Sequence, residues 1–237
     1  MIKETVEDYK LKAYKQRETY ISTINHDLKI PTLAQIRALE LLADESLGLL
    51  NPKQKEVVNL TLDSCRSMYE MMSDILYSYK YENQDIIPAM EYFDVIKLIK
   101  DSFINFKHSI TDKNIKSKIE SSDNQIFIRA DKEQLYKAFE NIFGYCFSSA
   151  YCKGSILCEI FKTDNNLFVK ISFENPFMKY KNFESMFNKY TTSNEKLDKL
   201  GTNLRLYLAK QIIKSHNGEL YLDTIQKKFL CTVKIPI

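Results

Sequence analysis

Residues 25–32 read Asn25-His26-Asp27-Leu28-Lys29-Ile30-Pro31-Thr32 and lie inside a long amphipathic run. They bring a nucleophile, an acid and a helix-bending proline close together. His26 is one of three histidines in the chain, and Asp27 follows it directly. An adjacent carboxylate can hold one ring nitrogen as N–H and leave the other free to attack phosphorus. Pro31 lacks an N–H donor and its ring crowds the preceding turn, so a bend is expected just beyond the pair. A His-Asp pair alone also reads as a solvated surface pair, so its surroundings have to decide.

Working outward, residues 3 to about 46 read as one helix. Ile21, Ile24, Leu28, Leu33, Ile36, Leu39 and Leu42 recur at helical steps, and Pro31 is the one breaker. Gly48 through Pro52 is a turn, with Gly48 suited to a helix end and Pro52 to a helix start. A second helix is expected from about 52 to 81, with Val58, Leu62, Cys65, Met68, Met72, Ile75 and Tyr79 as a stripe of core packing. Two long helices with a short connection make an antiparallel hairpin. One hairpin cannot bury its own stripe, so pairing of two into a four-helix bundle, a homodimer, is expected.

Residues 82–92 break the periodicity and read as an interdomain connection, separating residues 1–81 from 94–237. Beyond it the pattern is mixed. A helix is expected over about 94–107. Ile126-Phe127-Ile128 reads as a short strand ending at Asp131, which can cap a helix over about 132–150. Strands follow at about 155–162 and 167–173, then a helix from near Thr202 to His216, then strands at about 219–224 and 228–235. The fold class is α+β, with helices on one face of a mostly antiparallel sheet.

Composition excludes several classes. The 237 residues suffice for one large or two small domains. They carry a net charge of +3, too slight for a nucleic-acid footprint. No apolar run approaches the roughly 20 residues of a membrane span, and no leader peptide is evident. The five cysteines, at 65, 146, 152, 158 and 231, show no CxxC and read as reduced thiols, not as a metal knuckle. A cytoplasmic location is expected. Five glycines leave little material for a phosphate-cradling loop.

His26-Asp27-Leu28-Lys29-Ile30-Pro31 resembles the phospho-acceptor box of sensor histidine kinases, and its place on the first helix of a hairpin resembles their dimerisation and histidine-phosphotransfer domain. Residues 94–237 resemble their ATP-binding catalytic domain, an α/β sandwich, in order and spacing. Asp131-Lys132-Glu133-Gln134 followed by Asn141 looks like the entry to the family's asparagine box. Gly201-Thr202, then a helix ending in His216-Asn217-Gly218-Glu219-Leu220, looks like its last glycine box and the strand beyond. The resemblance runs from about residue 10 to the end.

The resemblance implies phosphoryl transfer from ATP to His26 and on to an aspartate of a response-regulator receiver domain, a reaction that rests on positioning and charge neutralisation. It implies His26 as nucleophile and Asp27 as the group that holds its tautomer and accepts its proton. Lys29 would sit near the incoming phosphate, or is simply solvated.

The same comparison exposes departures. Asn141 matches the first asparagine of its box, but Tyr145 stands where the second would bind magnesium, and a phenol is a poor ligand for a hard octahedral cation. Asn175 occupies about the position of the aspartate that pairs with adenine, and no glycine follows it in Phe173-Glu174-Asn175-Pro176-Phe177. The last box reads Gly201-Thr202-Asn203-Leu204-Arg205-Leu206, with Arg205 in place of a glycine that lets backbone approach phosphate. Arg205 either fills that space or pairs with a phosphate. Ile30 replaces the Thr or Asn that orients water in many relatives, so weak phosphatase activity by that route is expected. Residues 178–200 would form a lid, with Phe183 and Phe187 as its base or as ordinary core, and Lys189, Lys196 and Lys199 near phosphates or solvated. ATP and magnesium are therefore doubtful cofactors. Three readings stay open: an autokinase with a degraded pocket, an ATP-independent histidine phosphotransferase, and a pseudokinase scaffold that docks receivers. No sensor domain fits before residue 20, so a signal would arrive from an upstream protein or region.

Overall fold

A computed structural model describes residues 6–82, 86–109, 114–175, 183–188, 200–225 and 228–237. The chain divides into two compact units, Met1–Asp85 and Ile86–Ile237.

The first unit is a pair of helices, α1 (Val6–Ala43) and α2 (Pro52–Glu82). Helix α1 continues through Pro31, so the proline does not end it. The turn between the helices is built from left-handed residues, Glu45 at φ 58° and Gly48 at φ 126°. Gly48 supplies a conformation that side chains disfavour. Asn51 and Gln54 cap α2 reciprocally. The Gln54 N–H donates to Asn51 Oδ1 at 2.9 Å and the Asn51 N–H donates to Gln54 Oε1 at 3.0 Å, with Pro52 in the first helical position. Leu62 and Tyr79 of α2 and Ile36 of α1 are buried. Ile24, Leu28 and Leu33 of the expected α1 stripe remain well exposed, as does Met68 of α2. The stripe is wider than one partner helix can cover, so within one hairpin it is only partly core.

The second unit has the order β1 (Glu91–Asp94), α3 (Val95–Ser109), β2 (Lys116–Ser121), β3 (Phe127–Ala130), α4 (Lys132–Ser149), β4 (Ser155–Lys162), β5 (Asn166–Glu174), a short 3-10 turn (Glu184–Phe187), α5 (Leu200–Ser215), β6 (Glu219–Ile225) and β7 (Lys228–Pro236). Strands β1 and β3 form a two-stranded antiparallel sheet. The other five run β2-β4-β5-β7-β6, with β2 parallel to β4 and the remaining pairs antiparallel. This is an α+β fold with a mixed sheet. Strands β1 and β2 have no counterpart in the sequence reading. Their sequences, Glu-Tyr-Phe-Asp and Lys-Ser-Lys-Ile-Glu-Ser, are short or polar and carry no apolar alternation.

The core lies between one sheet face and α3, α4 and α5. Phe139, Ile142 and Phe143 of α4, Leu206, Leu208 and Ile213 of α5, and Ile156, Val169, Ile171 and Val233 of the sheet are fully buried. Asp131 caps α4 through Oδ1, which accepts from the Gln134 N–H at 3.0 Å. Its Oδ2 accepts from the Ala89 N–H at 2.8 Å, which ties the incoming chain to the same helix end. The Asp131 N–H donates to His216 Nε2 at 3.0 Å, so the end of α5 meets the start of α4 there. Gly218 follows in the turn into β6, where a Cβ would stand 2.6 Å from the Lys234 carbonyl oxygen.

Three cysteines gather in this core. Burial pushes the Cys146 and Cys158 thiols up, and Cys231 beside them adds to the effect. Folded-state values above the unfolded value of about 8.5 mean that these thiols stay protonated while the unfolded chain ionises. Their contribution is complete below about pH 8.5 and is lost as pH rises above it. The thermal midpoint of the second unit is accordingly expected to fall between pH 7.5 and 9.5, and Cys158→Ala is expected to flatten that slope. Exposed Cys152 is expected to react with a thiol reagent before unfolding, and Cys146, Cys158 and Cys231 only on unfolding.

Candidate functional site

The residues singled out in the sequence fall into two groups, one in each unit. The first group sits on α1. His26 and Asp27 are exposed, with side-chain exposures of 73% and 70%. His26 Nδ1 lies 3.3 Å from Asp27 Oδ1. With the proton on Nδ1 donated to that carboxylate, Nε2 is the unshielded nucleophilic atom. Lys29, one turn further on, holds its ammonium 5.3 Å from the centre of the Tyr69 ring of α2. Ile30 is exposed, an apolar side chain facing water beside the pair. Thr32 Oγ1 donates to the Leu28 carbonyl oxygen at 2.8 Å, a bond back to the preceding turn of the kind that favours a bend.

The second group sits around α4. Asn141 and Tyr145 are four apart on α4, so they share one helix face. Both are buried, at 7% and 3% exposure. Asn141 Nδ2 has no hydrogen-bond partner among the described residues. The Tyr145 hydroxyl points at Met186 Sδ, 4.0 Å away, and its ring lies 5.8 Å from that of Phe229. Phe229 in turn packs against Phe173 at 4.9 Å and Phe183 at 5.7 Å. Tyr145 is thus one member of an aromatic and sulfur cluster between α4, β5, β7 and the 3-10 turn. Asn175, just past β5, donates from Nδ2 to the Ser149 carbonyl oxygen at the end of α4. Gly201 and Thr202 lie in the first turn of α5, and Arg205, on the next turn, is half-buried.

Phe183 is half-buried and Phe187 is buried, with Lys210 Nζ 4.2 Å from the Phe187 ring centre. Most of the expected lid, with Lys189, Lys196 and Lys199, lies outside the described residues. The sequence reading missed Met186 and Phe229, the residues that enclose Tyr145. Phe229 is buried on β7, but nothing local in the sequence ties it to α4. Among the described residues no group of three or more His, Cys, Asp or Glu side chains could hold a metal ion. No helix among them is long and apolar enough to cross a membrane.

A helical hairpin bearing an exposed His-Asp pair is followed by an α+β unit with the strand order β2-β4-β5-β7-β6. No family profile matches the chain. Sensor histidine kinase YvrG of Bacillus subtilis is 22% identical over 210 residues, covering 88% of this chain and 36% of YvrG. Sensor protein VanS of Enterococcus faecium is 24% identical over 242 residues, covering 99% of this chain and 62% of VanS. Among solved structures, full-length ShkA in complex with AMPPNP aligns at a TM-score of 0.73 and 15% identity, over 92% of this chain and 45% of ShkA. Histidine kinase ThkA in complex with the response regulator TrrA aligns at a TM-score of 0.62 and 17% identity, over 100% of this chain and 68% of the ThkA chain. The chain is similar to sensor histidine kinases over most of its length, at 22% and 24% identity to YvrG and VanS. It spans 36% to 62% of the length of these two relatives.

Proposed function

We propose that the chain is a two-component transmitter module in which His26 carries a phosphoryl group to or from a receiver-domain aspartate, and in which the ATP site is degraded. The observation that supports the acceptor role is the exposed imidazole whose Nδ1 faces Asp27. Asp27 orients the ring and accepts its proton as phosphorus is attacked. Lys29 sits one turn from the acceptor, where its charge favours an incoming phosphate, although its ammonium spends that charge partly on the Tyr69 ring.

The residues of the second unit do not fit a magnesium-bound nucleotide. The position that would offer an amide oxygen to magnesium holds a buried phenol directed at a thioether. Turning it out would break the packing of Tyr145 on Phe229. Asn141 and Asn175 keep amide chemistry that suits a nucleotide, and Gly201 and Thr202 keep the start of the last glycine box, but Arg205 replaces a residue whose lack of a side chain matters. This favours transfer between His26 and a protein donor, the ATP-independent reading, over efficient autophosphorylation.

Supplying label in parallel from magnesium-ATP and from a phosphorylated receiver domain tests the proposal. The receiver is expected to load the chain faster than magnesium-ATP does. Nucleotide affinity is expected to change less than about threefold when magnesium is added, as read by calorimetric titration. Tight, magnesium-dependent binding would overturn the degraded-site reading.

The hairpin pairs with a second copy in this reading. Ile24, Leu28 and Leu33 of α1 and Val57, Leu60 and Met68 of α2 are left exposed by one hairpin, and a four-helix bundle would cover such residues. Light scattering after size exclusion is expected to give twice the 27.9 kDa chain mass at micromolar concentration, and a monomer counts against the bundle. A partner or an upstream region would supply the signal.

A further inference from the structure

The apolar residues around the acceptor do not choose which face of α1 meets α2. Ile24, Leu28, Ile30 and Leu33 are between 38% and 56% exposed in the hairpin and spread over more than half of the helix circumference. Asn25 behaves differently. It is 5% exposed, and its Nδ2 donates to the Met72 carbonyl oxygen of α2. Thr32 and Ile36, seven and eleven residues on, are buried on the same face. The remaining Asn25 atom, Oδ1, is buried with no hydrogen-bond partner among the described residues. A buried acceptor without a partner is costly, so an apolar side chain would pack this position more stably. A polar residue inside a helix–helix seam is a known means of fixing register at the expense of stability.

We propose that Asn25 is the positioning residue that fixes the rotation of α1 on α2 and so turns His26 outward. The proposal rests on reading His26 as the phosphoryl acceptor. Successive helical residues are about 100° apart, so a seam-facing Asn25 sets the next side chain on the flank, clear of the seam. The single bond to the Met72 carbonyl selects one rotation among several that hydrophobic burial leaves nearly equal. Asn25 touches no reacting atom. It acts through the backbone of the residue beside it.

Two variants test this, Asn25→Leu, which fills the seam, and Asn25→Ser, which cannot reach the Met72 carbonyl. Three readouts are taken on the full chain: the thermal midpoint, the rate at which a phosphorylated receiver domain loads His26, and the imidazole nitrogen shifts of His26 by NMR. The midpoint of Asn25→Leu is expected to be unchanged or higher, while loading falls about tenfold in both variants. In the parent protein the nitrogen shifts are expected to report one tautomer protonated on Nδ1, and in both variants an average over two. A midpoint that falls in Asn25→Leu, with loading lost in proportion to unfolding, would make Asn25 an ordinary packing residue and overturn the proposal. Unchanged nitrogen shifts in both variants would overturn it equally. If the parent chain accepts no phosphate but the shifts still change on substitution, the positioning role stands and the acceptor reading fails.

Discussion

Truncating Phe143 to alanine is expected to remove about 3–5 kcal/mol from the stability of the second unit. Phe143 is fully buried on α4. Its ring meets Phe103 of α3 edge-on at 5.3 Å and 83°, and stacks on Phe139 at 6.0 Å. Phe103 also packs on Phe147 at 5.4 Å, so the four rings hold α3 against α4. Removing the central ring forfeits its transfer energy, adds a cavity that fixed helices cannot close, and strips two aromatic pairs worth about 0.5–1.5 kcal/mol each beyond burial. For a unit of this size the midpoint should drop by roughly 10 °C in a thermal melt. A loss under about 1 kcal/mol would mean that the α3–α4 seam does not carry the packing described.

Replacing His26 by glutamine is expected to reduce acid-labile phosphate on the chain by about 10²-fold or more, to background. Glutamine keeps a polar side chain of similar reach but has no nucleophilic nitrogen. His26 is exposed and its side chain meets the neighbouring Asp27, so the melt should shift by no more than a surface change does, about 0.5 kcal/mol. Loss of label without loss of stability separates chemistry from folding. Asp27→Asn keeps the shape of the acidic partner and removes its charge, and is expected to slow transfer about 10²-fold while leaving some label. Full label in the His26 variant would move the acceptor elsewhere and end the account given for the His-Asp pair.

Much of this was legible from local signals. The hairpin follows from helical spacing, Gly48 and Pro52, and α4 follows from Asp131 beside an apolar run. The paired strands β4 and β5, and β6 and β7, alternate clearly because one face is buried and the other is not. Strand β2 was illegible because an edge strand pairing only with β4 needs little apolar content. The His-Asp pair was legible because both residues are adjacent in sequence. The enclosure of Tyr145 was not, since Met186 and Phe229 reach it from 41 and 84 positions away and no local pattern encodes that meeting. Nor was the seam role of Asn25. Sequence marks it as a polar residue beside His26, and only the packing of α1 on α2 shows it turned inward.

The most direct measurement is mass-spectrometric mapping, at neutral pH, of the phosphorylated residue after the chain has reacted with a phosphorylated receiver domain. One acid-labile phosphate is expected, on the peptide that contains His26. Phosphate on any other residue, or none on His26 while the chain is folded and the receiver remains phosphorylated, would contradict it.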